Sequence, residues 1–211
     1  MYLPKHFEEP RVEVLHALIR ACPLGALVVP SANGLIANHV PFEIAPDPAP
    51  FGTLRAHIAR ANPLWREAPP GVEALVIFQG PDAYVSPAWY PTKAETAKVV
   101  PTWNYAVAHA YGPVRFIDDR AWLRAFVEGL TDRHEAGRPD PWKVTDAPAD
   151  FVDTMLGAIV GLEIPVARLV GKWKVSQNRP PHDREGVAEA LRREGGGDAA
   201  AMARLVRGER A

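Results

Sequence analysis

The run TWNYAVAHAYG, residues 102–112, limits what can pack beside it. Side chains alternate across a strand, so Trp103, Tyr105, Val107, His109 and Tyr111 share one face while Thr102, Asn104, Ala106, Ala108 and Ala110 share the other. One face is bulky and aromatic; the other is nearly bare. Alanine is a poor strand former, and three at alternate positions predict that a helix, a partner chain or a flat ligand comes close to the backbone there.

The elements around this strand define a fold class. Val14, Leu15, Leu18, Ile19 and Cys22 form a helical stripe that Pro23 ends. LGALVVP and LIANHVPFEI flank the turn SANG, whose Asn-Gly pair is a strong hairpin signal. GTLRAHI, VEALVIFQG, TWNYAVAHAYGPVRFI and IVGLEIPVARLVGKWK read as further strands, the last as one run with an edge or bulge at Pro165. DRAWLRAFVEGLTDRHEAG and APADFVDTMLGA read as helices, and EGVAEALRRE and DAAAMARLVRGER as two more around a Gly-Gly-Gly break. About six strands in hairpin order with segregated helices predict an α+β fold whose sheet closes on itself. The expected organisation is one domain over residues 1–182 and a helical tail over 183–211.

Charge and composition exclude several classes. With 24 Lys and Arg against 25 Asp and Glu, the chain has no global basic footprint for phosphate backbones. Contact with DNA is therefore expected to be weak or through a partner, with Lys172, Lys174, Arg179 and Arg184 the first place to look. The one cysteine cannot make an internal disulfide, the opening MYLPKHFEEP does not read as a secretion signal, and no apolar run approaches the ~20 residues that span a bilayer. A cytoplasmic protein without a membrane segment is expected.

Three segments gather chemistry. HIARANPLW contributes His57, Arg60, Asn62 and Trp65; SPAWYPTK and KVVPTWNY contribute Ser86, Trp89, Lys93, Lys98, Thr102, Trp103 and Asn104; GKWKVSQNR contributes Lys172, Lys174, Ser176, Gln177, Asn178 and Arg179. Singly, each histidine or tryptophan reads more readily as packing. Together, cations beside hydroxyls, amides and aromatics suit a phosphate-bearing ligand with a ring, so a nucleotide-like cofactor is expected. No GxGxxG, GxxxxGK[ST] or GxSxG is present. His39, His57 and His109 lack the spacing of a metal site, so none is expected. Ser86 and His109 lack an acidic orienter for hydrolase chemistry.

MYLPKHFEE, GTLRAHIARANPLW, VIFQGPDAYVSPAWYPTK, KVVPTWNYAVAHAYG and GKWKVSQNRP together resemble the PaiB family, in order from Met1 to about Val187. The resemblance implies an antiparallel split β-barrel with peripheral helices, similar to pyridoxamine-phosphate oxidases. It also implies FMN as cofactor, a homodimer with flavin at the subunit boundary, and negative transcriptional regulation. An FMN-dependent reductase of a flavin or small molecule is the alternative, and a haem-binding split barrel a more distant one. IANHVPF carries Asn38 where threonine or serine is expected, a change that tunes a local hydrogen bond. On this reading the bare face of TWNYAVAHAYG receives a second subunit or the flavin ring, with the helix at WLRAFVEGL as the competing cover. Arg60 is expected on the FMN phosphate, with pairing to a surface carboxylate such as Glu67 as its competing role.

Overall fold

The computed structural model describes residues 1–209. Along these residues run β1 (Glu8–Glu9), α1 (Val12–Ala21), β2 (Leu24–Ser31), β3 (Gly34–Pro41), β4 (Glu43–Ala45), β5 (Thr53–Ala59) and α2 (Leu64–Glu67). They continue with β6 (Glu73–Val85), α3 (Thr92–Thr96), β7 (Thr102–Pro113), β8 (Arg115–Ile117), α4 (Arg120–Glu135) and α5 (Ala149–Gly157). Last come β9 (Ile159–Pro165), β10 (Arg168–Lys174), α6 (Pro181–Glu194) and α7 (Gly197–Arg207). The chain divides into two compact units. The first holds residues 1–22, 77–109 and 169 onward; the second holds 23–76 and 110–168.

In the first unit the strands lie in the order β1-β10-β7-β6. Helix α1 forms because its apolar residues recur on one stripe, and Leu15, Leu18 and Ile19 are each no more than 4% exposed. It comes unusually close to the strands. A methyl group added at Gly80 of β6 would stand 2.5 Å from Leu18 Cδ1 and 3.6 Å from Ala106 Cβ; one at Gly171 of β10 would stand 2.3 Å from Leu15 Cδ2. Small residues on the strands are what let the leucines seat, because interiors are packed without spare volume.

The bare face of the lopsided strand is the inward one: Ala106 and Ala108 are fully buried, and Leu18 of α1 and Ala106 both lie beside Gly80, so a helix of the same chain covers this face and that helix is α1. The bulky face is half-exposed, with Trp103 at 50% and Tyr105, Val107 and His109 intermediate. The interior volume comes from the helix, so the strand contributes little of its own.

Helices α6 and α7, within the stretch expected as a tail, bury Val187, Ala188, Leu191, Met202 and Val206 in the first unit. In the second unit β2 and β3 form the expected hairpin, pairing from Leu24 with Pro41 to Ser31 with Gly34. A separate antiparallel sheet there runs β4-β5-β9-β8. The run expected as one strand is two, because Val166 N–H bonds Gly52 O at 2.9 Å and Ala167 N–H bonds Tyr111 O at 2.8 Å, turning the chain between β9 and β10. Pro165 ends β9, where no further ladder bond is needed. The class is the expected one, α+β with antiparallel sheets of split-barrel type, but the strand ladders are open and do not close on themselves.

Candidate functional site

Strands β7 and β10, with the turns that follow and precede them, bring six of the expected residues together in the first unit. Thr102, Asn104, Lys174, Ser176, Asn178 and Arg179 line a cleft of about 90 Å³ with Phe7, Tyr90, Val100 and Pro101. Asn104 Nδ2 donates to Ser176 Oγ at 2.9 Å, and both residues are buried. Ser176 holds a left-handed backbone (φ 62°), uncommon for a residue with a side chain and a conformation that costs free energy. That twist turns the chain after β10 so that Asn178 and Arg179 return to the cleft. Gln177 locks the same turn: its Oε1 accepts from Val175 N at 2.8 Å and its Nε2 donates to Trp173 O.

The electrostatics of this cleft are one-sided. Lys174 Nζ donates to Thr102 Oγ1 and to Trp103 O. Lys172 Nζ donates to Tyr2 O at 3.1 Å and lies 5.3 Å from the centre of the Tyr105 ring. The Arg179 guanidinium sits over the Tyr90 ring at 4.7 Å. Among the described residues no carboxylate stands within salt-bridge distance of Lys172, Lys174 or Arg179. Burial, then the charges of Lys172 and Arg179, hold the Lys174 ammonium below the ordinary lysine range. Burial pushes the Tyr90 phenol up, the Arg179 guanidinium beside it pulls the other way, and the Asp183 carboxylate adds to the rise. A phosphate meets these donors well: it is compact, anionic and needs several of them at once. At about 90 Å³ the cleft is far below the roughly 300–1,000 Å³ of a whole-ligand pocket, so it fits one charged end of a ligand.

The remaining candidates of the first unit stand apart from the cleft. Ser86 Oγ accepts from Ala88 N at 3.2 Å and starts a short turn that carries half-buried Trp89. Lys93 and Lys98 are exposed in and after α3. Trp103 Nε1 donates to Asp82 Oδ1 at 2.8 Å, and its ring meets Tyr84 edge-on at 6.1 Å.

In the second unit His57 and Asn62 line an open cleft of about 360 Å³ with Asn38, His39, Val40, Pro41 and Ile159. Asn62 Nδ2 donates to Asn38 Oδ1 at 2.9 Å, so the residue at this position accepts a local hydrogen bond. Burial lowers the His57 pKa and keeps the imidazole neutral at its edge-on contact with Phe126. Arg60, expected on the FMN phosphate, is engaged within the chain. Its Nη1 and Nη2 grip Asp118 at 2.8 and 2.5 Å, its Nε donates to Gly157 O at 2.7 Å, and Nη2 reaches Ile159 O at 3.1 Å. Trp65 Nε1 closes the brace on Arg60 O at 2.9 Å. The guanidinium caps the end of α5 and fixes β5 beside it, and its partner is Asp118, not Glu67. We expect Arg60→Ala to lower the thermal midpoint and to leave the ratio of FMN to riboflavin affinity unchanged; paired titrations check this, and a selective loss of FMN would return Arg60 to the phosphate.

Residues 1–168 match the family described as "Putative FMN-binding domain". The chain belongs to this FMN-binding family. Its cofactor is accordingly FMN. A relative from Emericella nidulans is 35% identical over 242 residues, covering 98% of this chain and 96% of its own. Protease synthase and sporulation protein PAI 2 of Bacillus subtilis is 30% identical over 206 residues, with 98% and 96% covered, in keeping with the PaiB resemblance. The structure of the FAD and heme binding protein from Mycobacterium smegmatis shares the fold, with a TM-score of 0.59 at 20% identity over 79% of this chain and 73% of that one. In this FMN-binding chain the family match stops short of Lys174, Ser176 and Arg179, which lie in a stretch that the Bacillus relative also spans. Tyr90 and Phe7 also line the cleft; they lie inside SPAWYPTK and MYLPKHFEE, but neither is among the expected site residues. Among the described residues no three of His, Cys, Asp and Glu gather as metal ligands, and no helix is long and apolar enough to cross a membrane.

Proposed function

We propose that this chain is an FMN-binding regulatory protein that acts as a cytoplasmic homodimer, with the FMN phosphate received by Lys174 and Arg179. The observation that carries the reading is a cleft lined by two cations, Lys174 and Arg179, and no carboxylate, sized for one end of the ligand. Lys174 and Arg179 supply charge-assisted donors, while the Asn104–Ser176 bond fixes the turn that presents them. When bound, FMN supplies reversible acceptance and release of electrons. The name of the Bacillus relative, which links it to protease synthesis and sporulation, supports a regulatory use of that chemistry.

A second copy is called for because the phosphate cleft leaves the ring to be covered by another surface. The half-exposed face of β7 suits that role: Trp103 is 50% and Tyr84 48% exposed, and Asp82 pins the indole in place. Aromatic residues held rigidly are what interface centres are built from. Light scattering is expected to give twice the chain mass, with an interface above roughly 2,000 Å², and Trp103→Glu to give single chains. A wild-type monomer at micromolar concentration would overturn the dimer. With a net charge of -1, duplex DNA is held weakly by the purified protein alone. The regulatory reading itself is tested by NADH and NADPH oxidation with FMN present: no turnover beyond free FMN is expected, and sustained turnover would make the protein an oxidoreductase.

A further inference from the structure

A wall of the phosphate cleft is held from outside the matched family region. The connection between β6 and β7 supplies Tyr90, Val100 and Pro101 to the cleft. All six of its residues from 93 to 98 are exposed, so its own packing does little to fix it. Its middle is tied to the first turn of α6: Thr92 N donates to Asp183 Oδ1 at 3.1 Å, and Thr92 Oγ1 lies 3.0 Å from His182 Nε2. One turn on, Gly186 lets the two segments touch. A methyl group there would stand 2.3 Å from Trp89 O and 3.1 Å from Pro91 Cδ.

Asp183 is the centre of this contact. It is fully buried, and its Oδ2 has no hydrogen-bond partner among the described residues. A buried carboxylate oxygen without a partner is costly. The cost is reduced by its place in the first turn of α6, where free backbone N–H groups favour negative charge. An apolar residue there would pack without that cost but could not reach the Thr92 amide. The same segment carries Tyr90, whose ring lies under the Arg179 guanidinium. We infer that Asp183 is a positioning residue for the flavin site: it clasps the 90–92 segment to α6 and so sets Tyr90 and, through its ring, Arg179. The inference rests on reading the cleft as the phosphate site.

Hydrogen exchange over residues 90–98 without flavin, paired with FMN and riboflavin titration of the full chain, tests it. Asp183→Ala is expected to speed exchange there at least tenfold and to weaken FMN by roughly tenfold, the loss of about one charged hydrogen bond. Riboflavin binding and exchange in α1 stay as they are. Asp183→Asn, which keeps an acceptor oxygen for Thr92 N–H, is expected to restore both. Gly186→Ala, which crowds the same contact and leaves Asp183 in place, should reproduce the paired loss and carries the test if Asp183→Ala does not fold. Unchanged exchange in Asp183→Ala, or faster exchange with FMN affinity intact, overturns the positioning role. Intact FMN affinity in Lys174→Ala as well would locate the error in the cleft assignment instead.

Discussion

Replacing Lys174 by alanine is expected to weaken FMN by roughly ten- to a hundredfold and to leave riboflavin almost untouched, the cost of one charged hydrogen bond at about 1.5–3 kcal/mol. The ammonium is half-buried, bonded to Thr102 Oγ1 and Trp103 O, and faces no carboxylate among the described residues. Burial and then the neighbouring Lys172 and Arg179 depress its pKa from the ordinary 10.5. A depressed folded-state pKa means that the unfolded chain binds this proton more readily, so the charge works against folding at neutral pH. An anion in the cleft offsets that penalty. Inorganic phosphate should therefore raise the thermal midpoint of the wild type more than that of Lys174→Ala, and fluorescence titration with both flavins measures the affinity change. Equal losses for FMN and riboflavin would mean that the ammonium supports the turn and not the phosphate.

A large stability effect is expected at Gly171. A valine there would drive its Cβ to 2.3 Å from Leu15 Cδ2 and 2.7 Å from Glu9 O, which is backbone and cannot rotate away. Overpacking of this kind costs typically 1–3 kcal/mol, and the backbone contact puts this case near 3 or above. Denaturant unfolding would register it as a lower midpoint at an unchanged slope. Leu15→Ala in the same chain should relieve part of the clash, since it removes the side chain met first. A Gly171→Val protein as stable as wild type would mean that α1 does not sit on β10.

Local chemistry was legible in the sequence where one segment decides the outcome. The hairpin of β2 and β3 follows from Asn33-Gly34, and Gly34 does adopt a positive φ of 110°. The stripe of α1 and its stop before Pro23 follow from spacing alone. What depended on distant partners was not legible. The break between β9 and β10 is made by hydrogen bonds from Val166 and Ala167 to Gly52 and Tyr111, none of them a sequence neighbour. Arg60 finds Asp118 58 residues away, a partner that the local motif does not announce. The alternation in TWNYAVAHAYG correctly called for a close neighbour but could not say that the neighbour is α1, nor that the bare face is the inner one. The candidate site divides in the same way. GKWKVSQNR was recognisable as chemistry, whereas Tyr90 and Asp183 gain their roles only when the chain from 86 to 101 meets α6.

The central claim is that Lys174 and Arg179 receive the FMN phosphate. The crystal structure of the full chain with FMN bound tests it most directly, through the position of one phosphorus atom. Phosphate oxygens are expected within hydrogen-bond reach, about 2.7–3.2 Å, of Lys174 Nζ and the Arg179 guanidinium. A phosphate found instead beside Asn38 and Asn62, or on Arg60 with the Asp118 pair broken, would contradict it.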